Sequence, residues 1–339
     1  MKNTTKTITI YDVAKDAGIS PRSVSRYFNA PEKLGKPTRE KLAKVIKRLH
    51  FRPNVYANRV SNQKKDVVAV MAYYKEDYKL TIHHLTLLSY ISYQLSLCKK
   101  DLLLIVANHE NEESIIKESL MLSKFDILLL LNPPGPLILE ELKSMDFPKI
   151  TINWKPREKM PSHVCIGVDG YKAGMKFARA LWKKNYRNIL YVGPHYTKKE
   201  AAPHGKAVLD LYNGKGKQAH CDFIRYLPDD CGSHADRARK IIRQVLKKNM
   251  LPQLIVCYND YIASILMSVV REAGLKIRIA GYGNSILNDY ILPTLTTVKM
   301  PWEEMVKTAV DLLIDWNEKY DEQTDFIEFE SKIVWGTST

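Results

Sequence analysis

The sequence predicts an all-α helix-turn-helix head joined to an α/β body of two lobes, each built on parallel strands with helices on both faces. Three observations carry this. Two short helical patterns separated by a glycine lie within residues 9–29. Charge is uneven, because residues 1–65 hold 16 Lys+Arg against 4 Asp+Glu, a net of +12 out of the chain's +15. Across residues 66–339, apolar runs rich in β-branched residues alternate with amphipathic stretches, the pattern of strands buried on both faces.

The head's elements follow in order. Thr9 is placed to cap a helix with Asp12 three residues on, and Ile10, Val13 and Ala14 fall on one face. Gly18 supplies the positive φ that ends this helix. Ser20 is a natural N-cap, and Pro21 fits a first helical position that needs no amide hydrogen. In the second helix Val24 and Phe28 are one turn apart and face inward, while Arg22 and Arg26 are one turn apart on another face. A third helix follows Gly35 and Pro37, with Leu42, Val45, Ile46 and Leu49 spaced as one apolar stripe.

A basic head on a near-neutral body is the footprint of a surface that neutralises phosphates and releases their counterions. Arginine is the side chain that most often makes a specific contact to guanine, so the outward pair is positioned to read bases. A small protein-binding module would not need that pair or that charge.

The run DVAKDAGIS, then SVSRYFN, then TREKLAKVIKRLHFRPN resembles the head of the lactose-repressor/galactose-repressor family of bacterial transcription regulators. The resemblance implies that Pro21, Arg22 and Arg26 face bases in the major groove of duplex DNA. Pro21 departs from the family pattern and offers only apolar contact, which leaves most readout to the arginines. Ser20, Ser25, Asn29 and Thr38 match positions that hold phosphates and set register. Thr9, Tyr11, Asn54 and Ala57 complete the implied DNA-facing set. Residues 54–65 are implied to be a hinge that folds on DNA, with Val60 standing where the family's minor-groove wedge is leucine. A plain tether is the alternative from composition alone. The expected division is therefore 1–53 as the DNA-binding head, 54–65 as the hinge, and 66–339 as the effector-binding and dimerisation body.

In the body, VVAVMAYY, LLLIVAN, DILLLLNPP, KITINW, CIGVD, NILYVGP, QLIVCYND and RIAGYGN read as strands. Looser resemblance in VCIGVDGYKAGMKFARALWKKNYRNILYVGP, QLIVCYNDYIASILMSVVREAGLKI and LPTLTTVKMPWEEM extends to this part. It implies the fold of periplasmic sugar-binding proteins, two lobes joined by three crossovers with a ligand cleft between them. Ligands in such sheets sit beyond the carboxyl ends of strands, which selects Tyr73, Tyr74, Asn153, Trp154, Asn259, Asp260, Tyr282 and Asn284 as effector-binding candidates. Only Asn259–Asp260 matches the family's acids clearly. GYGN stands where the family has GYDD or GFDD, and no arginine follows the Gly-Pro turn, only Lys198, Lys199 and His204. An amide-rich cleft suits a polyol, a sugar or a sugar phosphate; it also suits a cleft without a ligand.

Other chemistry is excluded by pattern. Five cysteines without a close pair imply reduced thiols, and Cys165 and Cys257 sit in apolar strands. His220, Cys221, Cys231 and His234 flank a strand at a spacing that fits no compact zinc pattern, so no metal and no cofactor is expected. Neither a phosphate-binding glycine loop nor a nucleophile elbow occurs, which argues against an enzyme. With no signal peptide before the head, a cytoplasmic protein without membrane contact is expected. The expected reading is a homodimeric repressor on a pseudo-palindromic operator of a carbohydrate-use operon, its DNA affinity set by a small molecule in the cleft. A dimer rather than a tetramer is expected because no leucine heptads follow IEFESKIVWG. A constitutive DNA binder, or one governed by a partner protein, is the alternative.

Overall fold

The computed structural model describes residues 10–29, 33–49, 67–74, 82–120, 125–193, 202–226, 233–247 and 251–339. The chain divides into two units, Met1–Lys64 and Lys65–Thr339.

The first unit holds three helices, α1 (Ile10–Ala17), α2 (Pro21–Asn29) and α3 (Lys36–Arg48). Gly18 takes φ +62°, a left-handed turn that glycine adopts without cost, so α1 stops and α2 starts within four residues. The amide of Ser23 donates to Ser20 Oγ at 3.2 Å, closing the first turn of α2. α3 begins one residue after Gly35, with Pro37 in its first turn where a missing donor does no harm. Val13, Ala14, Ala17, Val24, Leu42 and Val45 form the core, with Ile46 and Leu49 packed against it. Arg48 pairs with Asp16 and ties α3 to α1.

The second unit carries two parallel sheets. The first has six strands: β1 (Val67–Tyr74), β2 (Asp101–Asn108), β3 (Ile127–Leu130), β4 (Lys149–Ile152), β5 (His163–Gly167) and β11 (Phe326–Glu328), in the order β11-β5-β4-β3-β1-β2. The second has four: β6 (Asn188–Gly193), β7 (His220–Arg225), β8 (Leu254–Cys257) and β9 (Arg278–Ala280), in the order β7-β6-β8-β9. A separate antiparallel pair joins β10 (Thr297–Lys299) to β12 (Lys332–Val334).

Side chains alternate across a strand, so each fully buried strand feeds two cores. From β1, Val68, Val70, Ala72 and Tyr74 pack with Leu87, Ile91 and Leu95 of α4 (Ile82–Leu97), while Val67, Ala69, Met71 and Tyr73 pack with Ile138 and Leu142 of α5 (Pro136–Ser144). In the second lobe α6 (Gly170–Lys183) and α7 (Pro203–Asn213) cover one face. There α8 (His234–Leu246) and α9 (Asp260–Glu272) cover the other. The chain passes between the sheets three times: after β5, between β10 and α10 (Trp302–Ile314), and between β11 and β12. α10 returns to the first lobe, where Trp302, Met305, Val306 and Ala309 join its core. No helix among the described residues is long and apolar enough to cross a membrane.

Candidate nucleic-acid interface and ligand cleft

In the head, burial of Val24 fixes the rotation of α2 and leaves Arg22 and Arg26 exposed on one side, a single turn apart. Neither guanidinium has an ion-pair partner among the described residues. Pro21, Ser25 and Thr38 are half-buried, Ser20 is exposed, and Tyr11 on α1 is 71% exposed. Ser20 and Ser23 also share a hydroxyl contact of 3.0 Å. Thr9, Asn54, Ala57 and Val60 lie outside the described residues, as does the side chain of Asn29.

The body's candidates all fall at carboxyl ends of strands, and the two lobes furnish different walls. In the first lobe, the Tyr73 amide donates to Asn132 Oδ1 at 2.9 Å, and Asn132 Nδ2 returns a bond to the Tyr73 carbonyl at 2.5 Å. The Tyr73 hydroxyl donates to the buried Glu112 at 2.8 Å, and burial followed by this bond pushes its pKa up to about 12. The other Glu112 oxygen accepts from the amides of Leu137 and Ile138, so a carboxylate of the chain itself occupies the N-terminus of α5. Asn153 adopts φ +57° and accepts from the Val168 amide at 3.2 Å, fastening the first passage between lobes. The Trp154 carbonyl accepts from the Cys165 thiol, and its ring packs against the first-lobe core. Tyr74 is buried, its ring edge lies against His84, and its hydroxyl has no hydrogen-bond partner among the described residues.

In the second lobe, Asn259 caps α9 by accepting from the Ile262 amide at 2.8 Å. Asp260 is 1% exposed and accepts from Thr297 Oγ1 at 2.6 Å and from the Ser285 amide at 2.5 Å. Burial raises its pKa against the pull of those bonds. Asn284, at φ +49°, accepts from Asn288 Nδ2 at 3.1 Å. Tyr282 stacks on His204 with centroids 4.0 Å apart and packs against the cores of both lobes, its hydroxyl unpartnered among the described residues. His204 Nε2 lies 3.2 Å from the Tyr258 carbonyl, an acceptor only, which puts the proton on Nε2 and leaves Nδ1 bare. Burial pulls this imidazole down to about 4, so it is neutral at pH 7.

The candidates thus separate by what their polar atoms already do. Asn153, Asn259, Asp260 and Asn284 are bonded within the fold, whereas the buried hydroxyls of Tyr74 and Tyr282 have no partner among the described residues. Glu112, Asn132 and Tyr258 were not singled out from sequence. Only Asn132 carried a signal, as the polar residue ending the apolar run DILLLLN. Of the histidine-cysteine segment, His220 contacts Asp222 at 3.0 Å, His234 Nδ1 contacts the Tyr226 hydroxyl at 2.7 Å, and Cys231 lies outside the described residues.

Comparison with known proteins agrees with this geometry. Residues 9–54 match the family described as bacterial regulatory proteins, lacI family, and residues 178–339 match the periplasmic binding protein-like domain. Catabolite control protein A of Staphylococcus aureus is 25% identical over 334 residues, covering 93% of this chain and 95% of that protein. The HTH-type transcriptional repressor PurR of Vibrio atlanticus is 24% identical over 339 residues, covering 96% of this chain and 97% of that protein. Among solved structures, the Lac repressor dimer bound to operator and the anti-inducer ONPF superposes with a TM-score of 0.78 at 18% identity, covering 98% of this chain and 99% of that chain.

Proposed function

Since this chain belongs to the lactose-repressor/galactose-repressor family of DNA-binding transcription regulators, we propose that it represses a carbohydrate-use operon, gripping a pseudo-palindromic operator as a homodimer and responding to a small molecule held between its lobes. The observation that carries this reading is the exposed pair Arg22 and Arg26 on a helix rotated into place by Val24. Residues 1–53 act as the reading head, 54–65 as the hinge with Val60 as its wedge, and 66–339 as the sensor and dimer body. Two heads on one two-fold axis require half-sites one helical turn or a multiple apart.

Pairing of bodies is supported by an apolar surface on the first lobe. Leu85, Tyr93 and Leu97 on α4 and Leu102, Leu104 and Val106 on the edge strand β2 are all exposed. Uncovered, an edge of this composition favours aggregation. The effector would meet Tyr74, Tyr282, Tyr73 and Trp154, with Asn153, Asn259, Asp260 and Asn284 shaping the walls. A neutral imidazole at His204 and bonded amides suit an uncharged sugar or polyol better than a phosphate.

Footprinting on promoter fragments, with and without sugars, sugar phosphates and polyols, tests the proposal. A protected pseudo-palindrome whose affinity shifts with one compound is the expected result, and uniform binding to all fragments contradicts it. One observation favours a second reading, a regulator whose cleft takes no ligand: Asp260 spends both oxygens on Thr297 and Ser285, and Tyr282 spends its ring on His204. A thermal-shift screen separates the two, since a ligand at one hundred times its Kd stabilises by about 2.7 kcal/mol.

A further inference from the structure

The near-neutral body conceals a strong polarity. Residues 168–299, the second lobe, hold 22 Lys+Arg against 10 Asp+Glu, a net of +12, while residues 66–167 and 300–339 hold 14 against 23, a net of −9. Strands β6 to β9 are parallel, so the connections that lead into them all lie at one end of the sheet. That end carries six exposed lysines: Lys183 and Lys184 before β6, Lys215 and Lys217 before β7, Lys247 before β8 and Lys276 before β9. The described residues of these connections contain no Asp or Glu, and none of the six lysines has a carboxylate partner among the described residues. The nearby Glu272 is bonded to Arg239 at 3.2 Å.

Aromatic rings lie among these cations. The Arg187 guanidinium covers Trp182 at 3.7 Å and donates to the Trp182 carbonyl at 2.6 Å. Lys215 Nζ approaches the same ring at 5.1 Å, and Lys184 Nζ sits 4.3 Å over Trp335, which is 41% exposed. Arg278 donates to the Tyr186 hydroxyl at 2.9 Å. Two arginines are thus pinned as a floor, Lys184 and Lys215 lie over its rings, and no lysine of the six has a carboxylate partner among the described residues.

Charges at this end of an α/β lobe have an ordinary explanation, since cations stabilise helix C-termini. Four helices end here at roughly −0.5 each, or about −2, which leaves most of the six lysines and two arginines unoffset. The first lobe supplies the control. Its helices end at the equivalent edge, yet Asp101, Asp126, Asp146 and Asp325 stand at or just before its strands, and its Lys149 is buried.

We propose that this end of the second lobe is a second nucleic-acid surface, one that holds the phosphate backbone of duplex DNA without reading sequence. Flexible lysines on loops satisfy phosphates at many positions and impose no base geometry. Strands about 4.8 Å apart spread the four connections over roughly 14 Å, a length along which a duplex bears one phosphate charge per about 1.7 Å. The surface belongs to the body alone and does not depend on how the head reads its operator.

The test is a salt titration of the full chain on a random-sequence duplex, from about 50 to about 200 mM. Each phosphate that a lysine no longer neutralises lowers the slope of log affinity against log salt by about 0.9. Lys183→Gln, Lys184→Gln, Lys215→Gln and Lys217→Gln together should lower it by about 2 to 3.6 units, with the operator footprint still in place. The first-lobe control Lys99→Gln with Lys117→Gln should leave the slope unchanged. An unchanged slope in the fourfold variant overturns the proposal, and so does a greater loss on polyglutamate than on DNA, which marks an acidic-protein surface. Should the fourfold variant melt early, the pair Lys215→Gln and Lys217→Gln is measured alone, with about half the change expected. An Arg22→Ala variant that loses the footprint but keeps the random-duplex slope separates failure of the head from failure of this surface.

Discussion

Residues 1–65, the head with its hinge, and the second lobe each carry a net charge of +12, but they mount it differently. In the head, Arg22 and Arg26 stand on a helix whose rotation is fixed by Val24 at 0% exposure and whose first turn is closed by Ser20. At the strand-entry end of the second lobe, Lys183 closes α6 and five further lysines sit on the four connections, including the 214–219 segment with two glycines. The same number of charges therefore supports different tasks. A rigid rod holds guanidinium groups in the register that base edges demand, whereas loop lysines follow phosphates wherever they run. Charge alone attracts DNA; its mounting decides whether DNA is read.

Weakening the mount should break this contrast most. Leu42→Ala removes a fully buried side chain from the small head core and should cost about 2–5 kcal/mol, unfolding the head while the body's calorimetric transition stays in place. Arg22→Ala keeps the mount and removes one reader. It should cost about 1–3 kcal/mol on operator, relax base preference at one position per half-site, and change random-sequence affinity far less in a competition assay. Gly18→Ala forces a side chain into φ +62° at roughly 1–2 kcal/mol, seen as a lower melting temperature of the head with the readout pattern retained. Ser20→Ala, which deletes the cap of α2, should cost about 1 kcal/mol by the same measurement.

A pH prediction sharpens the contrast between the lobes. His204 is held near a pKa of about 4 and unfolds to an ordinary imidazole near 6.5, so the unfolded state binds more protons between those values. Stability of the body therefore falls as pH drops from about 6.5 to about 4, and the loss levels off below. His163, buried in the first lobe and also near 4, contributes the same sign. His204→Phe should flatten part of the pH dependence of the melting temperature, and His163→Phe another part; identical curves for wild type and both variants would contradict the assignment.

Legibility in the sequence followed the range of the interactions. The head reads clearly because its signals are local: a cap, a glycine and apolar positions one turn apart all lie within a dozen residues. Strands buried on both faces, such as β1, β3 and β8, stand out as unbroken apolar runs. Strand β7 is weaker, since in His220–Arg225 two exposed ends flank four half-buried residues, Asp222 among them, at a sheet edge. The order β11-β5-β4-β3-β1-β2 has no local signature, because β11 returns from more than 150 residues away. That the candidate effector residues stand at strand ends was legible, and what their polar atoms bond to was not. Asp260 has the look of a free carboxylate in Tyr-Asn-Asp, and only the return of Thr297 and Ser285 to the same spot shows its oxygens engaged. The charge polarity of the body was hidden for a related reason: the first lobe is assembled from two separated stretches, so a running sum along the chain cancels −9 against +12.

The central claim is that a rod-mounted arginine pair reads DNA sequence. Selection of bound fragments from a random duplex pool, run on the full chain and on Arg22→Ala with Arg26→Ala, tests it most directly. The expected outcome is a pseudo-palindromic motif for the parent protein, absent from the double variant while unselective binding survives. A parent protein that enriches no motif, or a double variant that enriches the same one, would contradict it.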